Sequence, residues 1–166
     1  TVHLELLREG EEGHVELDVV RRQIEVPTVQ HQMLEGNVGF VQVSEFSEST
    51  PEQFEAAIKE LQGQGMASVI VDLRDNPGGV LQSVCKMLDL FLPEGVLVYT
   101  EDKYGNRTDF KSDKTHMEIP MAVLINGNSA SASEIFAGAI KDYKYGTLVG
   151  TTSFGKGIVQ TIVPMD

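Results

Sequence analysis

The sequence predicts an α/β fold, with a mainly parallel sheet flanked by helices and a short N-terminal β-hairpin in front of it. Three observations carry that expectation. From residue 38 onward, short β-branched runs alternate with stretches of helical periodicity. Two of those runs lead through small-residue turns into helices, as the crossovers of a parallel sheet require. The opening residues instead alternate apolar and polar about a glycine-containing turn.

Val2, Leu4 and Leu6 alternate with polar residues, Gly10 and Gly13 frame an acidic turn, and Val15, Leu17 and Val19 alternate again. Two strands alone are marginal in water, so residues 1–26 are expected to lean on a domain that is mostly missing. Residues 27–37 lack periodicity and read as a connector, and 38–46 read as a strand. Thr50, Pro51 and Gln53 supply an N-cap, a first-turn proline and a capping-box partner. Phe54, Ala57, Ile58 and Leu61 continue at helical spacing, and Gly63 and Gly65 close the helix. Residues 68–73 form a nearly continuous apolar run, which suits a central strand buried on both faces. A second helix carries Leu81, Val84, Cys85, Leu88 and Phe91 on one side and stops at Pro93. Residues 96–100 read as a strand, and Tyr104-Gly105-Asn106 as the turn of a short peripheral hairpin. Strands are expected at 121–125, 147–149 and 158–163, with a helix over 131–145.

The 166 residues amount to about one domain, long enough to bury a real core. Thirteen Lys+Arg against 25 Asp+Glu leave a net charge of −12, which repels phosphate backbones and argues against a nucleic-acid partner. Cys85 is the single cysteine, so neither an internal disulfide nor a thiolate metal cage can form, and no metal or cofactor is expected. The start at Thr1 without Met, and the stop at Asp166 straight after a strand-like run, predict a fragment.

Chemistry concentrates at the two strand-to-helix junctions. In Asn76-Pro77-Gly78-Gly79 the paired glycines leave backbone N–H groups open to an anion or oxyanion, although a tight turn alone would need the same residues. Ser129-Ala130-Ser131-Ala132-Ser133-Glu134 leads from a strand into an apolar-faced helix. A serine there sits at the positive end of the helix among small neighbours, with the N–H of Ala132 available to a tetrahedral oxyanion. Ser131 to Glu134 is also a formal capping box, and Ser129 could take over capping. None of the four histidines (His3, His14, His31, His116) sits in a small-residue loop at a strand end. Lys156, flanked by Gly155 and Gly157 and followed by an apolar run, is the better base. A lysine in water titrates near about 10.4 and a useful base near roughly 7–8, a gap worth about 4 kcal/mol that burial among apolar groups has to supply. Residues 150–156 also match the first seven positions of a phosphate-binding loop. Gly157 stands where magnesium needs Ser or Thr, however, and a strand is expected where a helix is required.

The three motifs around Gly78-Gly79, Ser131 and Lys156, in this order and spacing, resemble the carboxyl-terminal processing peptidases, or tail-specific proteases, over about residues 27–166. The resemblance implies a crotonase-like peptidase core that continues past Asp166. It places the nucleophile on Ser131, the base on Lys156 25 positions later, and a supporting glutamine on Gln160. Its oxyanion donors fall on Ala132 and on Gly78, with Gly79 as the second choice. Four residues along an extended strand span roughly 13 Å, so Lys156 and Gln160 meet only if the glycines bend the chain or the lysine reaches along it. The implied reaction is endoproteolysis near the C-termini of polypeptides through an acyl-enzyme. The partners are exposed C-terminal tails captured by a PDZ domain, of which residues 1–26 would be a remnant. The resemblance also implies an extracytoplasmic location, in periplasm or cell envelope, and leaves homo-oligomerisation open. A non-catalytic binding relative of the same fold is the alternative.

Overall fold

The computed structural model describes residues 1–160 except Glu11, Gln23 and Glu25. Strands β1 (Val2–Leu7) and β2 (His14–Val19) pair antiparallel as a two-stranded sheet of their own. Val2, Leu4, Leu6, Leu17 and Val19 share one face of it, and all five are exposed among the described residues.

The main sheet has five strands in the order β3-β4-β5-β8-β9. Its first strand, β3 (Val29–Leu34), lies where a connector was expected, and pairs antiparallel with β4 (Val38–Val43). Val29, His31 and Met33 do alternate with exposed residues, but a histidine in the middle of the series hides the period of two. Gly36 and Asn37 take positive φ in the turn. The remaining strands, β5 (Ser68–Asp72), β8 (Met121–Ile125) and β9 (Thr147–Gly150), run parallel to β4 and to one another.

Helix α1 (Thr50–Gly63) connects β4 to β5, and α3 (Ala132–Asp142) connects β8 to β9. Between β5 and β8 come α2 (Leu81–Asp89) and an antiparallel pair, β6 (Gly95–Glu101) with β7 (Arg107–Ser112). That pair forms a separate sheet and packs on α2 and α3, so the strand expected at 96–100 stays out of the main sheet. Strand order climbs in one direction from β4 to β9, so right-handed crossovers lie over the same face. The packing of α1 on α2 and of α2 on α3 fits that arrangement.

The helix-covered face is the core. Val41, Val71 and Val123 stand side by side in register there and are fully buried, with Val43 and Val69 beside them. The opposite face carries Phe40, Ile70 and Ala122, which are only half-buried, so β5 is central but not enclosed on both faces. Phe91 closes the core at the end of α2, with its ring 6.0 Å from Phe54 edge-on and 6.0 Å from Tyr145. At the start of α1, Gln53 does not complete a capping box. Its side-chain oxygen accepts the Thr28 N–H at 2.9 Å, and the hydroxyls of Thr28 and Thr50 lie 2.7 Å apart in the buried space below. Residues 158–160 are irregular, and the rest of the strand expected over 158–163 lies outside the described residues. Among the described residues no helix is long and apolar enough to cross a membrane.

Because Phe91 is fully buried between two rings, Phe91→Ala leaves a cavity that its neighbours cannot refill. Urea denaturation is expected to show a loss of about 3–5 kcal/mol.

Candidate active site

Parallel pairing of β5 with β8 sets the loops after them side by side, at the end of the sheet where α/β sites form. Buried polar groups lock the two loops together. Asn76, fully buried, donates from its side chain to the Val43 carbonyl at 2.8 Å and accepts the Gly78 N–H at 2.8 Å. Its own carbonyl accepts the Ala130 N–H at 3.0 Å and the Ser133 hydroxyl at 2.9 Å. Ser129, also fully buried, donates its hydroxyl to the Leu73 carbonyl at 2.7 Å and accepts the Asn126 N–H at 2.9 Å. At the rim, one carboxylate oxygen of Asp75 accepts from the side chains of Asn126 (3.0 Å) and Asn128 (2.8 Å). Those bonds, the one from Asn128 foremost, hold the Asp75 carboxyl below the usual range.

Of the three serines in the motif, Ser129 and Ser133 are thus consumed in tying loops, and Ser129 does not take over the helix cap. Ser131 differs from both. It sits immediately before α3 with φ 55° and ψ −111°, a backbone conformation that costs a non-glycine residue about 1–3 kcal/mol. It lines a cleft of about 660 Å³ together with Gly79, Ala132, Lys156 and Gln160. Val80, Leu81, Ile135, Ile158 and Val159 supply apolar wall, and Thr100 of β6 and Phe110 of β7 complete it. The hairpin expected to be peripheral therefore forms one side of the site.

Gly78 lies beneath Ser131. A Cβ on it would stand 2.8 Å from Ser131 Cβ and 2.7 Å from the Ala130 carbonyl, so only glycine fits. Its N–H is spent on Asn76, whereas among the described residues the N–H groups of Gly79 and Ala132 have no partner. Gly79 is in turn pressed against the Phe46 carbonyl, where a Cβ would overlap it.

Lys156 and Gln160 are both exposed within this chain, so the apolar enclosure expected around the lysine is not formed by the described residues. The backbone before them is firmly held. Thr151 donates to Ile125 O at 3.2 Å and Phe154 to Ser129 O at 3.0 Å. The N–H groups of Gly155 and Lys156 donate to the Glu134 carboxylate at 2.7 and 2.9 Å. A phosphate cradle needs those amides free and a helix after them; here a carboxylate takes the amides and residues 157–160 are irregular.

The chain matches the model of peptidase family S41 over residues 37–166, most of its length. It belongs to that family. Among curated relatives, this S41 chain is 40% identical to a carboxy-terminal-processing protease of Bartonella bacilliformis, an alignment covering 99% of the chain and 39% of the relative. It is 38% identical to the carboxy-terminal processing protease CtpA of Bacillus subtilis, with 99% and 36% covered. It therefore spans between about a third and two-fifths of the length of these relatives. Among solved structures, the photosystem II D1 C-terminal processing protease superposes with a TM-score of 0.75 at 30% identity. That superposition covers 91% of this chain and 43% of the other. A lipoprotein from Streptococcus agalactiae, at 21% identity and a TM-score of 0.62, shares the fold.

Sequence reasoning placed Ser131, Ala132, Lys156, Gln160 and Gly78, with Gly79 as second choice, in one site; the S41 chain brings all of them but Gly78 to one cleft, and Gly78 gives its N–H to Asn76 instead. That reasoning missed the role of Glu134, read there only as half of a capping box. Glu134 Oε2 does accept the Ser131 N–H at 2.9 Å, but the same carboxylate reaches the Lys156 loop. Burial would raise its pKa. Hydrogen bonds from Ser153, Gly155, Ser131 and Lys156 outweigh that and hold it below its ordinary value of 4.5.

A carboxyl group depressed by folding stabilises the fold above its unfolded pKa, and that contribution is lost as pH falls through the folded value. Wild type is therefore expected to exceed Glu134→Gln in unfolding free energy at neutral pH, with the difference shrinking below about pH 4.5 in urea titrations at stepped pH. Gly78→Ala is expected to lower the unfolding free energy by about 1–3 kcal/mol in urea denaturation, since the new methyl meets the Ala130 carbonyl and Ser131 Cβ at a positive φ.

Proposed function

We propose that this chain is the core of a serine peptidase that cleaves polypeptides near their C-termini, with Ser131 as nucleophile and Lys156 as general base. The observation that carries the reading is the meeting of Ser131, Lys156 and Gln160 in one cleft, from positions up to 29 residues apart. Attack of Ser131 Oγ on a peptide carbonyl passes the hydroxyl proton to the neutral Lys156 amine. The oxyanion is received by the N–H groups of Ala132 and Gly79, which are aimed by the start of α3 and by the Asn76 turn. Collapse breaks the C–N bond as Lys156 returns the proton to the leaving nitrogen. Water, deprotonated by the same amine, then hydrolyses the acyl-enzyme and regenerates the serine.

The lysine must shed water to act as a base near neutral pH. A peptide lying along Phe110, Ile135 and Ile158 would displace solvent from the open side of Lys156, so substrate binding itself supplies part of the enclosure. Gln160, on the same wall, is assigned to holding the amine. Substrate tails are assigned to a PDZ-like domain to which β1 and β2 belong. Their exposed apolar face is what a two-stranded remnant of a larger sheet would present.

In the intact protein, Ser131→Ala and Lys156→Ala are each expected to lower kcat/KM on a tail-bearing polypeptide by at least about 1000-fold. Ser131→Ala is also expected to abolish fluorophosphonate labelling. Wild-type activity in both variants would overturn the Ser131–Lys156 assignment, whereas no cleavage by the wild-type protein would leave the chain as a binding relative of the peptidases.

A further inference from the structure

Glu134, half-buried in the first turn of α3, receives four hydrogen bonds on one carboxylate. Oε2 accepts the N–H groups of Ser131 and Lys156, each at 2.9 Å. Oε1 accepts the Gly155 N–H and the Ser153 hydroxyl, each at 2.7 Å. A capping box uses one such bond; the other three go to a loop that is remote in sequence. Among the described residues, the two from Gly155 and Lys156 are the only hydrogen bonds that tie residues 155–160 to the rest of the protein.

We propose that Glu134 is a positioning residue that fixes the distance between Ser131 and Lys156 by holding both of their backbone amides on a single oxygen. The inference rests on the Ser–Lys reading given above and adds to it a rigid link between the two reacting residues. The geometry is specific to a glutamate. Glutamine offers one acceptor oxygen, and its NH₂ would face two donors in place of the second oxygen. Aspartate is one methylene too short to reach from α3 to the loop. Glu134 does not line the cleft, so it acts on the alignment of the pair and not on the binding of substrate.

The test is peptide-cleavage kinetics on the intact protein, with fluorophosphonate labelling and thermal melting measured in parallel. Glu134→Gln is expected to lower kcat by about 100-fold, the scale set by ångström misplacement of reacting groups, with KM within about twofold. Labelling should slow in step. Ser153→Ala removes one of the four bonds while leaving the charge in place, and is expected to lower kcat about threefold with KM unchanged. Wild-type kcat in folded Glu134→Gln would overturn the inference, as would a loss that appears only in KM or that follows the unfolded fraction. Should Glu134→Gln not fold, wild-type kcat in Ser153→Ala overturns it. Ser131→Ala in the same assays separates the two claims: if it is inert while Glu134→Gln is normal, only the Glu134 inference falls, and if Ser131→Ala still cleaves, both fall.

Discussion

The site depends on the requirement that buried polar groups be paired. The side chains of Asn76, Ser129 and Ser133 are shut away from water, and each finds its partner in the backbone of another segment of the chain. Leaving any one unpaired would cost about 1–3 kcal/mol, so the turn after β5 and the turn before α3 have in effect one joint conformation. Ser131 lies inside that joint. Its unfavourable φ persists because residues on both sides are fixed by bonds it does not make itself.

From this constraint follows the division of labour among neighbouring groups. Gly78 cannot both brace the turn through Asn76 and offer its N–H to a ligand, so the open donor on that side belongs to Gly79. Ser129 and Ser133 cannot both stitch loops and enter the cleft, and the serine between them faces outward. The phosphate-loop pattern at 150–156 fails for a related reason: the amides a phosphate would use already satisfy a carboxylate.

The cleft sets charged and apolar groups side by side. The chain carries a net charge of −12, and Lys156 stands exposed at the rim of the cleft. The Glu134 carboxylate is engaged by four donors, among them the backbone N–H of Lys156. The apolar walls contributed by Phe110, Ile135 and Ile158 are the surfaces on which an extended chain could settle and shut out water.

Much of this was legible in one sequence because it is local. The period of two in β1 and β2, the helical spacing after Pro51, and the small residues around Ser131 all report on neighbours within a few positions. The resemblance to the processing peptidases then singled out Ser131, Lys156 and Gln160. What is decided by contacts across the chain was not legible. Residues 29–34 became a strand because β4 offered them a partner, and the hairpin of β6 and β7 became a wall of the cleft because α2 and α3 hold it there. That Glu134 bridges two loops as well as capping a helix depends on atoms brought together from 19 to 22 positions apart, and which N–H stays open depends on an Asn76 side chain anchored to Val43, 33 positions away. Residue types and spacing determine which groups are available for chemistry; only the folded chain decides which of their hydrogen bonds are already taken.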